Sequence, residues 1–78
     1  MTITEFLEAR MAEDELAAYD VMGEREGDRT LAECAAKRAI ITQVSDVAWC
    51  GYAVRDVILE HLAAVYKDHP EYRQDWAL

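Results

Sequence analysis

Bases are scarce in this sequence. Eight Lys and Arg stand against sixteen Asp and Glu, a formal charge of −8 over 78 residues. The imbalance is strongest at the front, where residues 1–30 hold nine acids and three bases, against seven and five in residues 31–78. Phosphate backbones attract the opposite sign, so direct nucleic-acid binding is disfavoured. Proline occurs once and glycine three times, too little punctuation for a chain of strands and tight turns. The two cysteines, Cys34 and Cys50, are too few for a disulfide framework and suit free, buried thiols in a reducing compartment. No apolar run approaches the ~20 residues of a membrane span. The start "MTITEFLEARMAEDE" carries acids where a signal peptide needs bases. These absences lead us to expect a soluble, cytoplasmic protein with no membrane partner.

Apolar residues are plentiful, at 53% of the chain. A single domain, residues 1–78, is all this length allows, and one so short hides only about 60% of its unfolded surface. The surplus calls for a well-packed core or a partner, and homo-oligomerisation is a common remedy. Abundant Ala, Glu and Leu favour helix throughout, and no segment alternates like a strand. The patterning predicts an all-α bundle of three helices, about 3–22, 30–44 and 46–67, plus a C-terminal helical turn at 70–75.

"TITE" fits a capping box at Thr2 and Glu5, and Thr30 with Glu33 fits a second. Between them "GEREGDR" (23–29) reads as a charged loop. On the first helix Ile3, Phe6, Leu7, Met11, Ala18 and Val21 share a face. Arg10 and Asp14 lie within that stripe, either pairing locally or each meeting another helix. A weaker strip, Ala9–Ala12–Leu16–Tyr19, runs along the back. Leu31, Cys34, Ile41, Val44 and Ala48 fall on one side of the second helix and its continuation, with Ile40 off that face. A break near 44–46 separates the third helix, and Gly51 is a further weak point. That helix has two apolar faces: Val47, Val54, Ile58, Leu62 and Val65 as the main one, and Tyr52, Leu59, Ala63 and Tyr66 as a second. A helix apolar nearly all round is covered on several sides. Two short neighbours cannot do this, so we expect self-association, a dimer first, through Trp49, Tyr52, Leu59, Ala63 and Tyr66.

In "KDHPEYRQDW" Pro70 suits the first position of a short helix, capped by Asp68 or His69. Tyr72 and Trp76, four apart, then seal the bundle's end.

Constellations for catalysis are thin. Cys34, Cys50, His61 and His69 have no zinc-ligand spacing, and no Glu-x-x-His pair exists for a di-iron bundle. No glycine-rich phosphate loop or nucleophile elbow is present. Asp56, Glu60 and His61, with Cys50, are the residues that a small enzyme or a nucleotide- or metal-binding protein would use. The simpler reading is a polar helix face. Lys37–Arg38, the one adjacent pair of bases, is a thin patch for a DNA-recognition helix. An acidic first helix acting as a DNA mimic is a further alternative.

In the same order, "FLEARMAEDELAA", "RTLAECAAKRAII" and "LAAVYKDHPEYRQDW" resemble segments of a family of short actinobacterial and actinophage proteins, a domain of unknown function. Two departures stand out. A longer insertion, with a proline–tryptophan segment, follows the first helix in family members, where this chain has "GEREGDR". The family's proline before the tail tyrosine is Val65 here, so the third helix is expected to run further. The resemblance implies an actinobacterial or phage origin and no particular activity. It marks Asp68, His69, Pro70, Tyr72, Arg73 and Trp76, with Tyr66, as matching the family pattern, a structural lock or a partner surface. The combined expectation is a non-enzymatic interaction protein without cofactor or metal, with a host protein as a candidate partner.

Overall fold

A computed structural model describes residues 1–21 and 23–78, without the side chains of Val47 and Trp49. Helix α1 spans Ile3–Tyr19. Its start is the expected capping box: the Glu5 amide donates to Thr2 Oγ1 at 3.1 Å, and the Thr2 amide donates to Glu5 Oε1 at 2.9 Å. These bonds to Thr2 hold the Glu5 carboxyl below its ordinary range. The cap is therefore complete at neutral pH and weakens as acid protonates Glu5 through that lowered value. Phe6, Leu7, Arg10, Met11 and Ala18 are buried, one face at helical spacing.

Helix α2 spans Arg25–Val44, so most of "GEREGDR" is helix rather than loop. Asp20, Val21, Gly23 and Glu24 lie between the helices, where Gly23 takes a φ of 95° and its amide donates to Asp28 Oδ1 at 3.0 Å. Glu26 and Asp28 sit in the first turn of α2, where the helix dipole favours acids. Thr30 consequently lies inside the helix and caps nothing. Gly27 serves closeness instead of turning: a Cβ there would lie 2.3 Å from the Val21 carbonyl oxygen. The expected end of the first helix at Met22 falls outside the described residues.

α1 and α2 form an antiparallel hairpin, with Cys34 Sγ 3.9 Å from the Met11 carbonyl oxygen and Arg38 bridging Glu8 and Glu15. The third helix is broken by Gly51, at φ 79°, into α3, Val47–Cys50, and α4, Tyr52–Ala64. It stops short of residue 67 although Val65 is no proline. The amides of Tyr66 and Lys67 bond three residues back, to Ala63 and Ala64, tightening the chain into turns. Pro70 lies in a turn, and the helical turn expected at 70–75 is a 3-10 turn at Gln74–Trp76. The core joins Phe6, Leu7 and Met11 of α1, Cys34, Ile41 and Val44 of α2, Leu59 and Ala63 of α4, and Trp76. The architecture is all-α, and no strand occurs among the described residues.

Candidate functional site

Two regions carry features beyond a plain core. The first is the junction of α1 with the tail. Phe6 is 0% exposed and is ringed by Tyr66, His69, Tyr72 and Trp76 at centroid distances of 6.2, 5.7, 6.1 and 5.0 Å. Beside it Arg10, only 6% exposed, bonds Glu13 at 2.5 Å and reaches Glu71 at 3.6 Å. The Glu71 amide donates to His69 Nδ1 at 3.0 Å. Arg10 Nη1 lies at the ring edge, 2.9 Å from Nδ1 and 2.6 Å from Nε2. Tyr66 completes the junction by donating to Asp14 Oδ2 at 2.7 Å. Arg10 and Asp14 therefore do not pair with each other: Arg10 pairs locally with Glu13 and otherwise meets His69 and Glu71 of the tail, and Asp14 meets the turn that follows α4.

Burial, reinforced by the bond to Asp14, raises the Tyr66 phenol well above its ordinary range. Because the folded value is raised, this contribution is complete below the free phenol's pKa of about 10 and disappears as pH climbs through the folded value. Tyr66→Phe is expected to cost about 1–2 kcal/mol and to abolish the highest-pH step in an ultraviolet tyrosine titration. A variant that kept that step would show that another tyrosine carries it.

The tail residues divide by role. His69, Tyr72 and Trp76 pack on Phe6. Arg73 stacks over Trp76 and bonds Asp75. Asp68 and Pro70 are exposed turn residues.

The second region is the outside of α2 and α4. Of the five residues expected to form a self-association face, the four with described side chains do not share one exposed surface. Leu59 and Ala63 are 2% and 0% exposed, in this chain's own core. Tyr66 is committed to Asp14 and Phe6. Tyr52 is exposed but lies beneath the Arg55 guanidinium, 4.9 Å from the ring centroid. Trp49 has no described side chain. The two faces of the third helix are partly exchanged: Val54 and Val65, expected inside, are exposed along with Val57, while Ile58 and Leu62 of the same face pack half-buried against the core. Next to them Ala39, Ile40, Gln43, Val44 and Ile58 line an apolar hollow of about 300 Å³. Ile40, off the core face of α2, is exposed at its rim.

The residues of the enzyme reading do not converge. Asp56 and Glu60 border a hollow with Ile3 and Trp76 that His61 does not line. Asp56 is paired with Arg55 at 2.9 Å. Cys50 Sγ points to the Val44 and Gly51 carbonyls, at 3.4 and 3.5 Å. Cys34 is buried, and desolvation raises its thiol pKa, with Glu15 and Asp14 adding to the effect, so the thiol stays protonated and unreactive. Among the described residues no three His, Cys, Asp or Glu gather in metal-binding geometry. Lys37 lies over the Tyr66 ring, 5.6 Å from its centroid, and Arg38 is held by Glu8 and Glu15, so both adjacent bases are occupied internally. No helix among the described residues is long and apolar enough to cross a membrane.

These features define a class: a miniature all-α bundle whose tail is pinned to its first helix by an aromatic and arginine cluster. The chain belongs to DUF6221, a family of unknown function, which it matches over residues 1–78. No curated protein and no solved structure matches it.

Proposed function

We propose that the protein is a non-enzymatic interaction protein that forms a dimer through the outer face of its third helix and the adjoining edge of α2. The observation that carries this reading is the apolar hollow beside exposed Ile40, Val54 and Val57. The molecule is 18 Å thick in its shortest dimension, about two helix diameters, so the bundle has no third layer to cover that face. It exposes 5292 Å², against about 4,800 Å² for a compact monomer of its mass.

A second copy is the occupant that the charges favour. Ala39, Ile40, Gln43, Val54, Val57 and Ile58 include no charged residue, so two copies of −8 each can meet there without opposing carboxylates. A two-fold interface is self-complementary, and an apolar hollow beside an apolar ridge meets that requirement. The resemblance to phage and actinobacterial proteins makes a host protein the natural further partner for such a dimer.

Sedimentation equilibrium tests the reading. The chain is expected to be dimeric at tens of micromolar, while Val57→Glu is expected to sediment as a folded monomer. A wild-type monomer at several hundred micromolar would overturn the proposal.

A further inference from the structure

The back of α1 carries a second unpartnered surface, on a different helix from the proposed dimer face. Leu16 and Tyr19 are 69% and 57% exposed, and with Ala12 and half-buried Ala9 they form a strip along the side opposite the core. From residue 9 to 19 this strip is about 15 Å long at 1.5 Å per residue. Carboxylates border it on both sides, Glu13 and Asp20 along one edge and Glu8 and Glu15 along the other, with Glu5 at its N-terminal end. Two arginines answer these five acids: Arg38, which contacts Glu8 and Glu15, and Arg10, which contacts Glu13. The strip therefore keeps a local charge of −3.

The molecule itself shows how this border receives a cation. Glu8 and Glu15, seven residues apart and so on one edge of the helix, converge on a single guanidinium arriving from a neighbouring helix. The apolar strip and its acidic borders together specify what can cover it. A second copy is unsuited, because it brings a net −8 and its adjacent bases Lys37 and Arg38 are engaged within its own fold. A straight strip on a helix packs best against another helix, here one with apolar residues on one side and bases beside them.

We propose that this face of α1 docks a cationic amphipathic helix of another protein. The partner's apolar residues sit on Ala12, Leu16 and Tyr19, and its Lys or Arg side chains meet the flanking carboxylates. Opposite charges steer the encounter and set the register, while the apolar strip holds the complex.

The probe is a synthetic helical peptide with leucines at i, i+3, i+4 and i+7 and lysines beside them, compared with the same peptide carrying glutamates in place of the lysines. Binding is followed by amide chemical shifts of the whole protein. The lysine peptide is expected to shift resonances along the outer face of α1 and to weaken roughly tenfold between about 50 and about 300 mM salt. The glutamate peptide is expected not to bind. Leu16→Ser removes an exposed side chain, leaves the melting temperature unchanged and is expected to weaken the lysine peptide about tenfold. The proposal is overturned if shifts spread without a footprint on α1, if both peptides bind alike, or if Leu16→Ser binds within twofold of wild type.

Discussion

Phe6→Ala is expected to remove most of the stability of this protein. A domain of 78 residues has about 4–12 kcal/mol to lose, and deleting a fully buried phenylalanine costs about 3–5 kcal/mol. Phe6 belongs at the upper end of that range for two reasons. Its ring is the common neighbour of Tyr66, His69, Tyr72 and Trp76, so its loss frees the tail as well as opening a cavity. The Arg10 guanidinium also lies 5.2 Å from the Phe6 centroid, and Arg10 Nε is buried without a hydrogen-bond partner, so losing the ring removes one wall around a charge that Glu13 and the tail hold only through its terminal nitrogens. At about 6 °C per kcal/mol for a domain of this size, the melting temperature should fall by about 20–30 °C. Phe6→Leu, which keeps an apolar side chain and part of the volume, is expected to lose far less. A melting temperature for Phe6→Ala within 5 °C or so of wild type would show that the tail and α1 are not coupled through this ring.

Gly27→Ala is expected to destabilise the protein by about 2–3 kcal/mol, lowering the melting temperature by about 12–18 °C. The sign is the informative part. Gly27 lies inside α2, where helix propensity alone predicts a gain of about 1 kcal/mol for alanine. The turn at the top of the hairpin reverses this. A new Cβ would lie 2.3 Å from the Val21 carbonyl oxygen and 2.7 Å from its carbon. That oxygen accepts the Glu24 amide at 3.0 Å, so it cannot move aside without breaking the turn. Urea denaturation of the variant decides between the two effects, and an increase in stability would mean that the turn relaxes freely.

Gly27 also shows where reading along the chain fails. A glycine among charged residues looks the same whether it bends the chain or lets two segments touch. Only the partner, Val21 on the preceding turn, tells them apart. The third helix presents the same difficulty. Its two apolar faces have similar composition, and periodicity does not rank them. Their order follows from α1, which meets the Leu59–Ala63–Tyr66 side: Ala63 is small enough for close packing, and Tyr66 reaches Asp14. Val54 and Val65 are left outside, on the side of the helix turned away from Leu59 and Ala63. The tail was more legible. An aromatic pair four residues apart after a lone proline signals a segment folded back, and Tyr72 and Trp76 do pack on the core. The helical turn expected there is confined to Gln74–Trp76, and before it the chain bends where the His69 ring accepts the Glu71 amide.

The linear order of residues alone determined the helical class, the Thr2 capping box and the core face of α1, since each rests on neighbours within four positions. Tertiary structure decided which side of the third helix is inside, why Gly27 is a glycine, and that Arg10, His69, Asp14 and Tyr66 form one junction. Those outcomes depend on pairs more than 50 residues apart in the case of Arg10–His69 and Asp14–Tyr66, and contacts at such range follow from how whole helices pack rather than from local pattern.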